Sequence, residues 1–253
     1  MFKPSRLHHS ACRDHCELAL ADSFGVLCWN VYKNNHKDQR FQDFLAREVN
    51  KQSIDCILFQ EASFRDNHHF QLPDFSYDAA ANLEFRGEFY GVLTASRVES
   101  IDAQAYLSEG RETLIGPHKS LLLSRYPFAD GSSLMILNIH AINFRETKRY
   151  FKELERFFAL VTQHSGPLIV AGDFNSWNKK RMDKLHQTAM QLSLTAVSFE
   201  SKEKIKSFMG KDLDFVFYRG LRLVETVVMD TDRLSDHNPL FVRLEREITV
   251  MQS

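Results

Sequence analysis

Proline and glycine are scarce, six and ten in 253 residues, and nowhere do they gather into a flexible linker. The chain therefore offers no seam at which to divide it. No internal repeat or low-complexity tract suggests an array. Long apolar runs are missing as well, with none near the roughly 18 residues a membrane span needs. The opening stretch MFKPSRLHHSACRDHCELALADSFG has no sustained apolar segment, so no secretory signal is read from it. Neither sign of charge dominates: 32 basic residues face 33 acidic ones, a formal net charge of -1. That excludes a protein coating nucleic acid or membrane by bulk charge, but not one with a local basic groove.

Cysteine is also sparse. Cys28 and Cys56 lie inside apolar runs, where they pack as small hydrophobes. This usage fits a reducing cytoplasm rather than a disulfide scaffold. His8, His9, Cys12, His15 and Cys16 could be drawn as a zinc cluster, but a second Cys/His pair at finger spacing is lacking. Residues 1–23 are read instead as a flexible polar extension, and 24–253 as one domain.

What is abundant is phenylalanine, 21 residues, within a hydrophobic content of 43%. A chain of this size buries a large core. GVLCWNV at 25–31 and DCILFQ at 55–60 are short apolar runs, as strands buried on both faces require. Between them Phe41, Phe44, Leu45 and Val49 recur at helical spacing over 38–52, with Asp38 as cap. Strand, helix, strand predicts a βαβ unit. Further strands are read at 88–95, 119–123, 133–139 and 167–172, and in LDFVFY, LRLVETVV and PLFVRLE. Helices are read at 147–164 and 179–193. An α/β fold of mixed sheets with outer helices follows.

The strands end on polar residues. GVLCWN ends in Asn30, DCILFQE in Glu61, SLMILNIH in His140, and PLIVAGDFN in Asp173 and Asn175. Asp214 opens LDFVF, and Asp236 and His237 precede the last strand. Singly, each reads equally well as a turn residue, a cap or a buried polar group. Together, four carboxylates without cysteine suit a hard cation such as Mg²⁺ or Mn²⁺. Two histidines suit proton transfer or charge stabilisation. These are the parts of metal-assisted phosphoester hydrolysis.

The ordered run WNVYK, FQEAS, LNIHAINF, AGDFNSW, LDFVFYRG and SDHNP over residues 24–246 resembles the endonuclease/exonuclease/phosphatase superfamily, and most of all its bacterial YafD-like branch. The resemblance implies a DNase I-like four-layer α/β sandwich with a catalytic rim between two sheets. It implies Glu61 as main metal ligand, with Asn30 and Asp236 at the metal or its waters. Asp173 would orient or deprotonate water, and Asn175 would hold a phosphate oxygen. His237, fixed by Asp214, would contact the scissile phosphate. His140 would protonate the leaving group, although its acidic partner in such enzymes has no match here beyond Glu84 and Glu88. Asn143 and Lys119 would stand at the rim.

Lys179, Lys180, Arg181 and Lys184 follow the GDFN motif, and Lys202, Lys204, Lys206 and Lys211 precede Asp214. Such runs grip a polyanion or simply face solvent. Trp177 would stack on a base or headgroup, or pack under its loop. The expectation is a cytoplasmic, Mg²⁺- or Mn²⁺-dependent phosphodiesterase on nucleic acid or a nucleotide-like diester, with no membrane insertion and no obligate protein partner. The same chemistry on a phospholipid, sphingolipid or phosphoinositide headgroup is the alternative, and a non-catalytic phosphate-ligand-binding protein is the third reading.

Overall fold

The computed structural model describes residues 6–35, 38–111, 118–141 and 147–247. In chain order these form β1 (Leu7–Ser10), β2 (Ser23–Asn30), α1 (Gln39–Lys51), β3 (Ile54–Phe64), β4 (Ser76–Phe85) and β5 (Glu88–Ser96). Then come β6 (Asp102–Arg111), β7 (His118–Pro127), β8 (Ser133–His140), α2 (Thr147–Ala159), β9 (Leu168–Asp173) and α3 (Lys179–Gln191). The chain closes with β10 (Thr195–Ala196), β11 (Ser207–Phe208), β12 (Lys211–Asp212), β13 (Asp214–Arg219), β14 (Leu221–Val228) and β15 (Leu240–Arg246).

Two mixed sheets result. One runs β1-β4-β5-β3-β2-β15-β14, the other β10-β13-β9-β8-β7-β6, and β11–β12 is a separate hairpin. The two parallel pairs, β2 with β3 and β8 with β9, are those joined through α1 and α2. That is the connection a parallel pair needs.

Alternation along the strands separates the cores. Val26 and Cys28 of β2 and Ile169 and Ala171 of β9 meet in a core built from both sheets. Their neighbours face outward: Leu27 and Trp29 pack with Phe41 and Phe44 of α1. Likewise Val170 packs with Tyr150, Leu154 and Phe157 of α2 and Leu185 of α3. Helix, sheet, sheet, helix gives four layers. Each fully buried aliphatic or phenyl side chain contributes about 1.5–3 kcal/mol.

The α1 cap is as expected, with Asp38 accepting from the Arg40 N–H. The α2 helix stops at Ala159, short of residue 164, and tightens into turns such as Leu160 N–H to the Phe157 carbonyl. The strands β1, β4 and β6 are additions to the sequence reading. Residues 7–10, expected in a flexible extension, pair antiparallel with β4. Arg13 and Asp14 donate to the Pro73 carbonyl and Cys12 is disulfide-bonded to Cys16, so the segment is tied down locally. Cys28 and Cys56 are buried free thiols.

Candidate active site

Strand parity decides what faces the cleft between the sheets. Residues 26 and 28 of β2 point to the second sheet, so the next in that column is Asn30. The same count on β9 through Ile169 and Ala171 leads to Asp173. On β8, Leu134 and Ile136 lead past Asn138 to His140, and on β13 Val216 leads back to Asp214. Register then sets His140, Asp173 and Asp214 side by side on three adjacent strands.

Glu61 breaks the alternation. Phe59, Ala62 and Phe64 all sit in the outer core, so Gln60 and Glu61 together occupy the inward position. The pairing of β3 with β5 shifts register there, and Glu61 has φ +50°. This is a β-bulge that aims a side chain at the cleft.

The GDFN turn is equally specific. Gly172 has φ +139°, and a Cβ there would lie 1.9 Å from the Ile139 carbonyl oxygen of β8. Asn175 has φ +50°, donates its N–H to Asp173 Oδ1 at 3.0 Å and donates from Nδ2 to the Ala141 carbonyl at 2.9 Å. Asp173 Oδ2 accepts from Asn30 Nδ2 at 3.2 Å. Asn175 Nδ2 retains a second hydrogen for a further acceptor.

His237 sits on a loop locked to β2. Trp29 Nε1 donates to its carbonyl at 2.8 Å, and Ser235 Oγ donates to the Asn30 carbonyl at 2.7 Å. Its Nδ1 is 2.7 Å from Asp214 Oδ2. Burial alone would lower the His237 pKa, but Asp214, helped by Asp173 and Asp236, raises it to about 9. The ring is a cation at neutral pH. Burial, reinforced by Asp214, pushes the Asp173 carboxyl up to about 7. A carboxylate poised there suits a general base.

His140 departs from its expected role. Its Nε2 is 3.1 Å from Lys119 Nζ and 3.7 Å from both Glu61 Oε1 and Asp173 Oδ2. Burial first, then Lys119, hold its pKa well below the ordinary value. With Nε2 accepting from Lys119 Nζ, that nitrogen carries no proton to give a leaving group. Glu88 accepts from the Tyr90 hydroxyl at 3.0 Å.

Arg181 is a correction. Expected at the substrate, it is fully buried, with Tyr150 and Trp177 rings at 4.6 and 4.7 Å from its guanidinium carbon. Nη1 donates to the Asn175 carbonyl at 3.1 Å. Asn178 caps α3 by accepting from the Arg181 N–H, which starts the helix so that Arg181 lies beneath the GDFN turn. Trp177, half-buried, also meets Phe208 edge-on. Lys184 pairs with Glu155 at 2.5 Å. Lys119 is buried at the rim, whereas Lys179 and Lys180 are exposed. Asn143 lies outside the described residues.

The oxygen-rich donor set fits a hard cation. Glu61 stands at the cleft mouth with its side chain 21% exposed. Asp214 Oδ1 is buried without a hydrogen-bond partner among the described residues. Atoms of Asp173, Asp214 and His237 lie within 4.8 Å of one another. Of the expected ligands, Asn30 Oδ1 accepts from the Tyr32 N–H, and Asp236 is exposed and paired with Lys206 at 3.0 Å.

Two supporting residues escaped sequence reading. Gln60 and Asn138, both fully buried, join the sheets by a 2.7 Å hydrogen bond below the cleft. Asn138 also donates to the carbonyls of Phe59 and Leu93. Their signal was a polar residue one or two places before a site residue in FQE and LNIH.

Comparison with known proteins agrees with this geometry. A model described as the Endonuclease/Exonuclease/phosphatase family matches residues 27–237. A UPF0294 protein of Vibrio parahaemolyticus is 36% identical over 220 residues, covering 86% of this chain and 76% of that protein. The endonuclease/exonuclease/phosphatase structure from Bacteroides vulgatus superposes with TM-score 0.66 at 18% identity, over 89% of this chain and 99% of that one. A mannosyl-6-phosphatase from Bacteroides thetaiotaomicron gives TM-score 0.60 at 17% identity, over 87% and 99%. By sequence and by its DNase I-like pair of packed mixed sheets, the chain belongs to the endonuclease/exonuclease/phosphatase family, whose members are phosphoesterases.

Proposed function

We propose that this chain is a divalent-metal-dependent phosphodiesterase that hydrolyses nucleic acid or a nucleotide-like diester by in-line attack of water. One observation carries the reading: the Asp214-held His237 cation lies beside Asp173, in a cleft to which both sheets contribute. A phosphodiester is anionic and repels an attacking oxygen, so hydrolysis needs fixed positive charge on the phosphate and a base behind the water. His237 supplies the charge. Asp173, held by the Asn175 N–H and the Asn30 amide, takes the proton. The second N–H of Asn175 Nδ2 would donate to a nonbridging phosphate oxygen.

Mg²⁺ or Mn²⁺ would be held by Glu61 with Asn30 and Asp236, and would neutralise phosphate charge when bound. His140 acts here as a hydrogen-bonding group rather than an acid, with Lys119 as the adjacent cation.

The test is a panel of bis-p-nitrophenyl phosphate, plasmid DNA, RNA, sphingomyelin and phosphoinositides with Mg²⁺ or Mn²⁺. Diester hydrolysis is expected, lost in EDTA, with kcat down about 10²-fold or more in Asp173→Asn and in His237→Ala. Full activity in Asp173→Asn would sink the mechanism. Calorimetric titration of Mg²⁺ into wild type and Glu61→Ala separates the binding-protein reading, which predicts no metal binding to either. The lipid alternative has one observation behind it: Phe208 and Met209, at a hairpin tip, are 55% and 75% exposed.

A further inference from the structure

Resting on the phosphodiesterase reading, we infer that the crevice beside Asp214, between α3, β10 and the β11–β12 hairpin, binds the nucleoside flanking the scissile phosphate. The crevice measures about 330 Å³ and has Asp214 in its wall. Small-molecule sites begin at about 300 Å³. Asp214 also holds His237, so this one carboxylate joins the crevice to the group that meets the phosphate.

The walls suit a heterocycle. Met182, Phe199, Ile205 and Phe215 are apolar or aromatic, and His186 stands edge-on to Phe215 at 6.1 Å. Stacking on such rings is tolerant of sequence because every base has a π-face.

Charge suits the neighbouring phosphates. Lys202 and Lys211 also line the crevice, set against Asp212 and Asp214 in the same wall. Among the described residues neither has a carboxylate within ion-pair distance, whereas Lys184 and Lys206 are committed to Glu155 and Asp236. A diacyl lipid would carry its chains into a bilayer and leave an aromatic crevice of this size unfilled. The exposed Phe208–Met209 tip then borders the strand path.

The test uses the full chain with two crevice-filling variants, Ala196→Trp and Ser198→Trp. Both positions line the crevice and are solvent-exposed, so the core is untouched. Binding of a fluorescein-labelled single-stranded oligonucleotide is read by anisotropy in EDTA, and turnover is read on the same oligonucleotide and on bis-p-nitrophenyl phosphate, which has no nucleoside. Expected is a rise of about tenfold or more in oligonucleotide Kd and KM, with bis-p-nitrophenyl phosphate unaffected. In the Lys202→Ala/Lys211→Ala variant the dependence of log Kd on log salt should flatten by roughly 1.4.

Unchanged oligonucleotide Kd in both folded Trp variants, or no binding by wild type, overturns the proposal. So does co-sedimentation with phosphatidylglycerol vesicles that is lost in Phe208→Ser/Met209→Ser while oligonucleotide binding is not. Failure of the catalytic reading is separate, because it is absence of bis-p-nitrophenyl phosphate hydrolysis, which leaves the anisotropy measurement intact.

Discussion

Asp173 and His237 titrate in one desolvated space, and both have pKa values displaced upward. Each binds a proton more tightly folded than unfolded, so stability falls as pH rises. For Asp173 the contribution is full below about 3.9 and lost through about 7; for His237 it is full below about 6.5 and lost through about 9. In metal-free protein the melting temperature should therefore decline from pH 6 to pH 9.5. Asp214→Asn, which removes the partner of His237, should flatten the upper part of that decline. A melting curve that rises over this range would contradict the assigned charge states. Arg181 makes a second residue-level case. Among the described residues its Nε and Nη2 are buried with no hydrogen-bond partner, so the charge itself is poorly compensated. Arg181→Met should keep the fold, with little change in melting temperature. It should also lower kcat on the order of 10- to 10²-fold, because the Asn175 carbonyl loses its donor and the turn shifts. An Arg181→Met enzyme with wild-type kcat would show that the turn holds itself.

At the scale of elements, the site is a set of strand ends, and this is why so much of it was legible. Doubly buried strands such as β2 and β9 read as apolar runs, so Asn30 and Asp173 stand out at their ends. Edge and alanine-rich strands do not read this way. In β4 the run SYDAAANLEF has no strong alternation, and β1 is LHHS, half of it histidine. Their pairing is fixed by neighbours distant in sequence, which local pattern cannot show. Arg181 misled for a related reason: in a basic run, only the capped start of α3 decides which side chain turns inward. The Glu61 bulge was invisible too, since the insertion exists only relative to β5. Gly172 tests the element directly. Gly172→Ala combines a +139° φ with a clash on the β8 backbone and should cost about 3 kcal/mol or more. Calorimetry should show a melting temperature lower by roughly 10 °C. A shift under two degrees would mean that β8 and β9 separate more easily than their close approach implies.

For the molecule as a whole, near-neutral charge conceals an uneven distribution. Glu61, Asp173, Asp214 and Asp236 gather at one rim, while Lys202 and Lys211 bring positive charge to the crevice next to it, beside Asp212. A field of that form draws an anion to the rim's flank, and a cation at the rim completes the attraction. The sandwich also has borders, and the first sheet closes one of them with β1. Those few residues occupy the outer hydrogen-bonding row of β4, from Tyr77 to Ala80. Removing residues 1–10 would uncover the row from Tyr77 to Ala80 on the edge of β4, a template on which a second molecule could add its own strand. Such a truncated chain should elute as concentration-dependent dimers and larger species in size-exclusion chromatography with light scattering, while retaining the catalytic rim. The N-terminal strand would thus act as a guard against self-templating, a duty quite apart from hydrolysis.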